Sequence, residues 1–304
     1  MPQAEQCSFC SGGIVERYRN CSDRVGKAPG AYSFDQCRRC GSLHINPLPS
    51  AETISLAYGE GYFTHDAAPP HTPSASPFLR LVKRTLFRPG YDLRFLDGRS
   101  GKLLDIGCGN GYFLQQAQAR GWEAFGVEPD CVAAGMAQAR GCKVFRAPIE
   151  EFSFDTEYDA VTMWHVLEHL GDPRSLFSRL ARALAPAGRI VSVTPNPESL
   201  VARILGSSWY GLDPPRHLHI PTRKGLQIML GDLGLQATVF TTPQLSDCYL
   251  LESLNIRRNG RAHTRRSSTF RAIALTCRPL FAVLDRLNLR CGEENVCVAT
   301  RPGR

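Results

Sequence analysis

The chain has 304 residues, of which 43% are hydrophobic and 21% charged; this excludes a disordered polar chain and provides enough apolar surface for a sizeable core. With no apolar N-terminal leader and no uninterrupted apolar run of about 18 residues, a soluble, cytoplasmic protein without a transmembrane segment is the expectation. The net charge of +8 is C-terminal in origin, since residues 201–304 carry fifteen Lys/Arg against seven Asp/Glu; such a stretch meets nucleic acid or anionic metabolites, or is a solvated face.

The first predicted unit is residues 1–46. Cys7-Ser-Phe-Cys10 and Cys37-Arg-Arg-Cys40-Gly41 are two C-x-x-C pairs. Two residues between cysteines let a tight turn aim both sulfurs at one ion, and four thiolates suit tetrahedral Zn²⁺. A structural ion is expected, because four protein ligands leave no open position. A redox dithiol would want one pair beside a βαβ unit, and neither pair has one. Cys21 stands outside this scheme. The remaining cysteines of the twelve read as free thiols in a reducing compartment.

Residues 47–98 are expected to form a linker and lid, rich in Pro, Ser and Ala after Thr64, followed by a packing helix over 78–97. The main domain then spans 99–304. Leu103, Leu104 and Ile106 form a short apolar strand carrying Asp105, and Gly107, Gly109 and Gly111 make the turn that follows. A helix over 113–121 and a strand AFGVE ending at Glu128 complete one strand-helix-strand unit. Glycines let backbone approach a ligand closely, and an acid at the second strand's end suits ribose hydroxyls. A dinucleotide turn favours G-x-G-x-x-G, yet its third glycine would fall on Tyr112. Asp105 and the Gly107 backbone instead suit the ammonium group of S-adenosylmethionine.

The alternation continues with a helix over 132–141, a strand over 142–145, a loop at Ile149-Glu150-Glu151 where an adenine would lie, and a strand over 158–163. The segment Trp164-His165-Val166-Leu167-Glu168-His169 comes next. HVLEH matches the inverted zinc-protease pattern, but a peptidase would hold it within a long helix, whereas here it follows a strand at the edge of a cofactor crevice. A helix from Pro173 and a strand over 189–195 follow. Apolar strands alternating with helices argue an α/β fold with a doubly wound, mostly parallel sheet. Residues 199–212 place Leu200, Val201, Ile204 and Leu205 on one face of a capping helix. Thr222 N-caps a helix to Leu233, a strand runs from Leu235, and the last strand, NVCVATRP, is expected at the sheet's antiparallel edge. Residues 257–271 hold six arginines and are expected to form a mobile basic loop drawing an anionic substrate to the site; a short helix is expected over 278–290.

LLDIGCGNGYF, GVEPD, YDAVTMWHVLEHLGDP and APAGRIVSVTPN, in this order, resemble class I S-adenosylmethionine-dependent methyltransferases over roughly residues 100–240. The branch most resembled joins a Cys₄ zinc segment to a seven-stranded Rossmann-like domain and carries a segment like Pro215-Arg216-His217-Leu218-His219-Ile220-Pro221-Thr222. The resemblance implies methionine-side contacts at Asp105, Gly107, Cys108, Gly109 and Gly111. It implies ribose contacts at Glu128 and Pro129, adenine contacts at Ile149 and Glu150, and further cofactor contacts at Trp164 and His165. The donor carries its own leaving group, so alignment and proton removal remain for the enzyme. His165 is the first candidate base, followed by His217, with His169 and Glu168 beside them. The expected acceptor is a small molecule (a sugar, a carrier-linked intermediate or a secondary metabolite, an anionic one included), with O-methylation preferred. An RNA acceptor and a non-catalytic cofactor-binding scaffold remain open.

Overall fold

In the computed structural model, the described residues are 6–26, 28–58, 93–96, 100–241, 247–262 and 292–302. The expected lid, most of the 78–97 helix, the 278–290 helix and Arg265, Arg266 and Arg271 lie outside them. Of the packing helix only a 3₁₀ turn, Leu93–Leu96, is described.

The main sheet has the strands β4 (Lys102–Ile106), β5 (Glu123–Val127), β6 (Lys143–Phe145), β7 (Tyr158–Trp164), β8 (Leu184–Pro195), β10 (Gln236–Thr241) and β11 (Glu294–Thr300). Their spatial order is β10-β11-β8-β7-β4-β5-β6. β4 pairs in parallel with both β5 and β7, so the order reverses on either side of β4 and opens a crevice at the strands' C-terminal edge. The last strand is antiparallel as expected, but it is not an edge strand: β11 lies between β8 and β10, antiparallel to both. Its burial pattern explains this, since Val296, Cys297 and Ala299 are all buried.

Helices cover both faces: α2 (Tyr112–Gln118) and α3 (Cys131–Ala139) on one, α4 (Pro173–Ala183) and α6 (Arg223–Asp232) on the other; α7 (Asp247–Asn259) packs against the segment after Ser199, and a short α1 (Ala51–Ala57) follows the N-terminal sheet. Local chemistry sets their starts. Asp130, Asp172 and Thr222 each accept a bond from the backbone N–H three residues on, and Pro173 occupies the first turn of α4. On α4, Leu176, Phe177, Leu180 and Ala183 are buried, the helical spacing of one apolar face. The predicted cap over 199–212 is a shorter helix, α5 (Leu200–Leu205), followed by two 3₁₀ turns. Gly206 at φ 52° ends it, and Ile204 is exposed rather than packed.

The N-terminal segment makes a second sheet from β1 (Ile14–Cys21), β2 (Tyr32–Cys37) and β3 (Leu43–Asn46). Its fourth strand comes from about 175 residues further along the chain: β9 (His219–Ile220) pairs antiparallel with β3. The cysteine turns rest on the start of α6. Thr222 Oγ1 donates to the Cys40 carbonyl at 2.6 Å, and a Cβ on Gly225 would stand 2.4 Å from Ser42 Oγ. The segment is therefore built into the main domain instead of being strung beside it.

Candidate functional site

The crevice begins where β4 ends. Gly107, Gly109 and Gly111 have φ of 69°, 53° and 79°, a left-handed conformation that side chains resist. Space matters as well at two of them: a Cβ on Gly107 would lie 2.5 Å from Val166 Cγ2, and one on Gly111 2.7 Å from Ala137 Cβ. The turn is thus pressed between the segment after β7 and helix α3. Cys108 points inward, 2.4 Å from where a Cβ on Gly126 would be.

Two acids flank the turn. Asp105 is buried, and its Oδ1 accepts from Thr162 Oγ1 at 2.6 Å. Burial pushes its pKa up to about 8 despite that bond, and the Glu128 charge adds to the rise. Glu128 accepts from Gly109 N–H through Oε2 and from Asp130 N–H through Oε1, each at 2.9 Å. Pro129 is exposed on the following turn. Of the adenine-side pair, Ile149 is buried in the core and Glu150 is exposed. Their loop is fixed by Arg179, which donates to the Ile149, Glu150 and Phe152 carbonyls. Trp164 is buried with its ring centroid 5.0 Å from that of Phe113.

His165 follows β7 in a left-handed conformation, φ 55°. Such backbone in a residue other than glycine costs about 1 kcal/mol or more and tends to mark functional segments. Both of its nitrogens meet carboxylates: Nδ1 is 3.2 Å from Glu168 Oε1 and Nε2 is 3.1 Å from Glu294 Oε1. Burial opposes charge here, but the two carboxylates outweigh it and raise the pKa to about 10. His165 is therefore held as an imidazolium near neutral pH, the form that has no lone pair to accept a proton.

The next histidines are placed differently. The Leu218 N–H donates to the Glu168 carbonyl at 2.7 Å, which brings the Pro215–Thr222 segment against the 167–169 turn. His169 Nδ1 lies 2.7 Å from the Tyr58 hydroxyl and 3.0 Å from the Arg216 carbonyl. His217 Nδ1 lies 2.9 Å from the Gly211 carbonyl. A carbonyl only accepts, so each Nδ1 carries a proton; His217 Nε2 faces Asp213 Oδ2 at 4.0 Å. The two rings meet edge to face with centroids 4.7 Å apart. Burial and then His217 lower the His169 pKa to about 4. His219 is not at this site: its ring meets His44, Nδ1 to Nδ1 at 3.0 Å, and joins β9 to β3.

Arg216, read from the sequence within the Pro215–Thr222 segment, is fully enclosed, forked on Asp213 through Nε and Nη2 at 2.8 and 2.6 Å, and paired with Asp23 at 2.8 Å. Its partners escaped the sequence. Asp213 is signalled only by its position three residues before Arg216. Asp23, Tyr58 and Glu294 carry no local signal, because they arrive from the loop after β1, from the end of α1 and from the inserted strand. The rise in the Tyr58 pKa comes first from burial and then from Asp213, with Glu168 and Glu128 contributing; one hydroxyl thus lies within the fields of both halves of the site. Arg257 and Arg258 belong to the last turn of α7 and not to a loop.

The four predicted cysteines converge. Cys7 and Cys40 sulfurs are 3.5 Å apart, Cys10 and Cys37 sulfurs 3.4 Å, and all four lie within 4.8 Å of one another. A tetrahedral ion with metal–sulfur bonds near 2.3 Å sets sulfurs about 3.8 Å apart, so the cage fits one. Phe9 and Arg39 N–H groups point at Cys7 and Cys37 sulfurs, as metal-held thiolates require. Cys21 lies outside the cage.

Residues 78–238 match a family model described as a methyltransferase domain. The chain belongs to this family. Among curated proteins it is similar to the ubiquinone biosynthesis O-methyltransferase of Alkalilimnicola ehrlichii, 30% identical over 133 residues, covering 40% of this chain and 54% of the relative. The protein of the same name from Acinetobacter baumannii is 27% identical over 143 residues, 42% of this chain and 60% of the relative. The chain thus spans little more than half the length of these relatives. A solved S-adenosylmethionine-dependent methyltransferase from Archaeoglobus fulgidus is 20% identical, with 74% of this chain and 100% of that one covered and a TM-score of 0.47. One from Mesorhizobium loti is 17% identical, with 71% and 100% covered and a TM-score of 0.48.

Proposed function

We propose that this chain transfers the methyl group of S-adenosylmethionine to a hydroxyl of a small-molecule acceptor. The observation that carries this is the pairing of the acid-flanked glycine turn with the turn after β7, whose Val166 touches Gly107. Bound there, the donor supplies an activated methyl group on a sulfonium leaving group. Asp105, uncharged by burial, regains its charge beside the donor's ammonium group. Glu128 exchanges its bonds to Gly109 and Asp130 for bonds to ribose hydroxyls. The loop held by Arg179 at Ile149 and Glu150 borders the adenine, and Trp164 and Phe113 form the wall behind it.

On the acceptor side the Glu168, His169 and His217 cluster faces the hydroxyl and promotes the loss of its proton. His165, held charged between Glu168 and Glu294, serves as a fixed cation and not as the base. The charges favour a small, uncharged hydroxylated acceptor over RNA: among the described residues, the cations His165 and Arg216 are both already matched by carboxylates. The O-methyltransferases among the similar proteins support oxygen as the accepting atom. Zn²⁺ in the Cys7, Cys10, Cys37 and Cys40 cage would be structural, fixing the cysteine turns against α6.

The test is incubation with methyl-labelled donor and two separate acceptor fractions, hydroxylated small metabolites and structured RNA. Label in a low-mass product that resists mild base supports the proposal. Label in RNA, or in neither fraction with active-site binding of the donor intact, overturns it.

A further inference from the structure

Glu168 is fully buried, and its Oε2 has no hydrogen-bond partner, while Oε1 is held by His165. An unmatched buried carboxylate oxygen is costly and calls for a missing partner. Beside it stand the two histidines whose Nδ1 protons are committed to the Arg216 and Gly211 carbonyls. One donor atom from each of Glu168, His169 and His217 lies within 4.8 Å of the others.

We propose that Glu168, His169 and His217 hold one divalent first-row transition-metal cation, bound through the free carboxylate oxygen and the two Nε2 atoms. The surroundings are those of a metal site. Ligating imidazoles are fixed by donating their other N–H to a carbonyl, and ligating carboxylates are themselves hydrogen-bonded; both conditions hold here without a cation present to impose them. Donors around an ion at about 2.1 Å stand roughly 3.0–3.4 Å apart, so the cluster closes by at most about 1.8 Å on loading.

Two nitrogens and one carboxylate suit Mn²⁺, Fe²⁺, Co²⁺ or Zn²⁺ better than Mg²⁺, and leave coordination positions open. This deepens the proposed methyl transfer and rests on it in one respect: an acceptor hydroxyl occupying an open position would become more acidic there, and its proton would pass to solvent. The site differs in kind from the thiolate cage, which is soft and closed. Mn²⁺ therefore probes the new site without competing for the cysteines.

The experiment is a Mn²⁺ titration of the full chain with its cysteine-bound metal in place, following free Mn²⁺ by electron paramagnetic resonance. One Mn²⁺ per chain is expected. Glu168→Gln and His217→Gln should each weaken it by more than about tenfold, with circular dichroism and S-adenosylhomocysteine affinity retained. Pulsed measurements on the wild-type complex should show imidazole nitrogen couplings, a readout that needs no variant to fold. Mn²⁺ left free at millimolar concentration, bound Mn²⁺ without nitrogen coupling, or wild-type affinity in a folded variant would overturn the site. Methyl transfer in fully metal-depleted solution with no Mn²⁺ uptake would reject the cation and leave the transferase; Mn²⁺ uptake without donor binding would do the reverse.

Discussion

Replacing Arg216 by Met isolates what joins the N-terminal segment to the acceptor side. The guanidinium side chain has 0% exposure, Asp23 has 1% and Asp213 10%, and it also donates to the Ala57 carbonyl at 3.1 Å. Methionine keeps much of the packing volume but strands two buried carboxylates. Removing one partner of a buried ion pair costs about 3–5 kcal/mol. At roughly 2–4 °C per kcal/mol for a large domain, the melting temperature should fall by about 6–20 °C. The pH dependence identifies the cause. Burial pushes the Asp23 and Asp213 carboxyls up, but Arg216 overrides it and holds both below their ordinary values. Their contribution is therefore complete above the unfolded value of about 3.9 and is lost as pH falls through the lower folded values. In Arg216→Met burial is opposed only by the Val25, Gly26 and Ala28 N–H groups at Asp23 and by His217 and His169 near Asp213, so the carboxylates cost most at neutral pH and are relieved by protonation. Urea unfolding should show a gap between wild type and variant that is widest near pH 7 and narrows toward about pH 4. Asp23→Asn and Asp213→Asn added to the variant should recover most of the loss. A variant within about 0.5 kcal/mol of wild type at pH 7, or a gap that widens on acidification, would refute the reasoning.

Other outcomes follow from the same geometry. Elemental analysis should find one Zn²⁺ per chain in the cysteine cage, and Cys40→Ser should lose it and melt at lower temperature; freshly purified metal-free protein melting as high as the loaded form would count against the cage. His165→Gln should cost stability mainly at low and neutral pH. The folded pKa of about 10 stands above the unfolded value of about 6.5, so the charge contribution is complete below the latter and disappears as pH rises through the former. A stability difference that stays flat up to about pH 10.5 in urea titrations would exclude that charge. His217→Gln should lower turnover by about 10²-fold or more while donor affinity, read by calorimetry, stays within about twofold; equal losses in both would place His217 on the donor side.

What the sequence made legible was local. The glycine turn, the acids on either side of it, the paired cysteines and the cap at Thr222 depend on neighbours a few residues away, and the structure has the turn at positive φ, the four sulfurs together and Thr222 capping its helix. What it hid was pairing across long separations. His44 meets His219 across 175 residues, so nothing near either residue announces that β9 completes the N-terminal sheet. Glu294 reaches His165 across 129 residues, because β11 inserts beside β8 instead of closing the edge. That insertion is what changes the chemistry at His165. Read alone, a histidine after a strand looks like a base; placed between Glu168 and Glu294, it keeps its proton. The apolar stripe over 199–212 continues past Gly206, but the helix ends there because the backbone takes a positive φ.

The most direct test of the whole account is a calorimetric titration of S-adenosylmethionine into wild type and Glu128→Ala. The account predicts one donor per chain for wild type. It predicts affinity weaker by roughly ten- to a hundredfold for the variant, since hydrogen bonds to a charged group contribute about 1.5–3 kcal/mol. No binding to wild type, or unchanged affinity in Glu128→Ala, would contradict it.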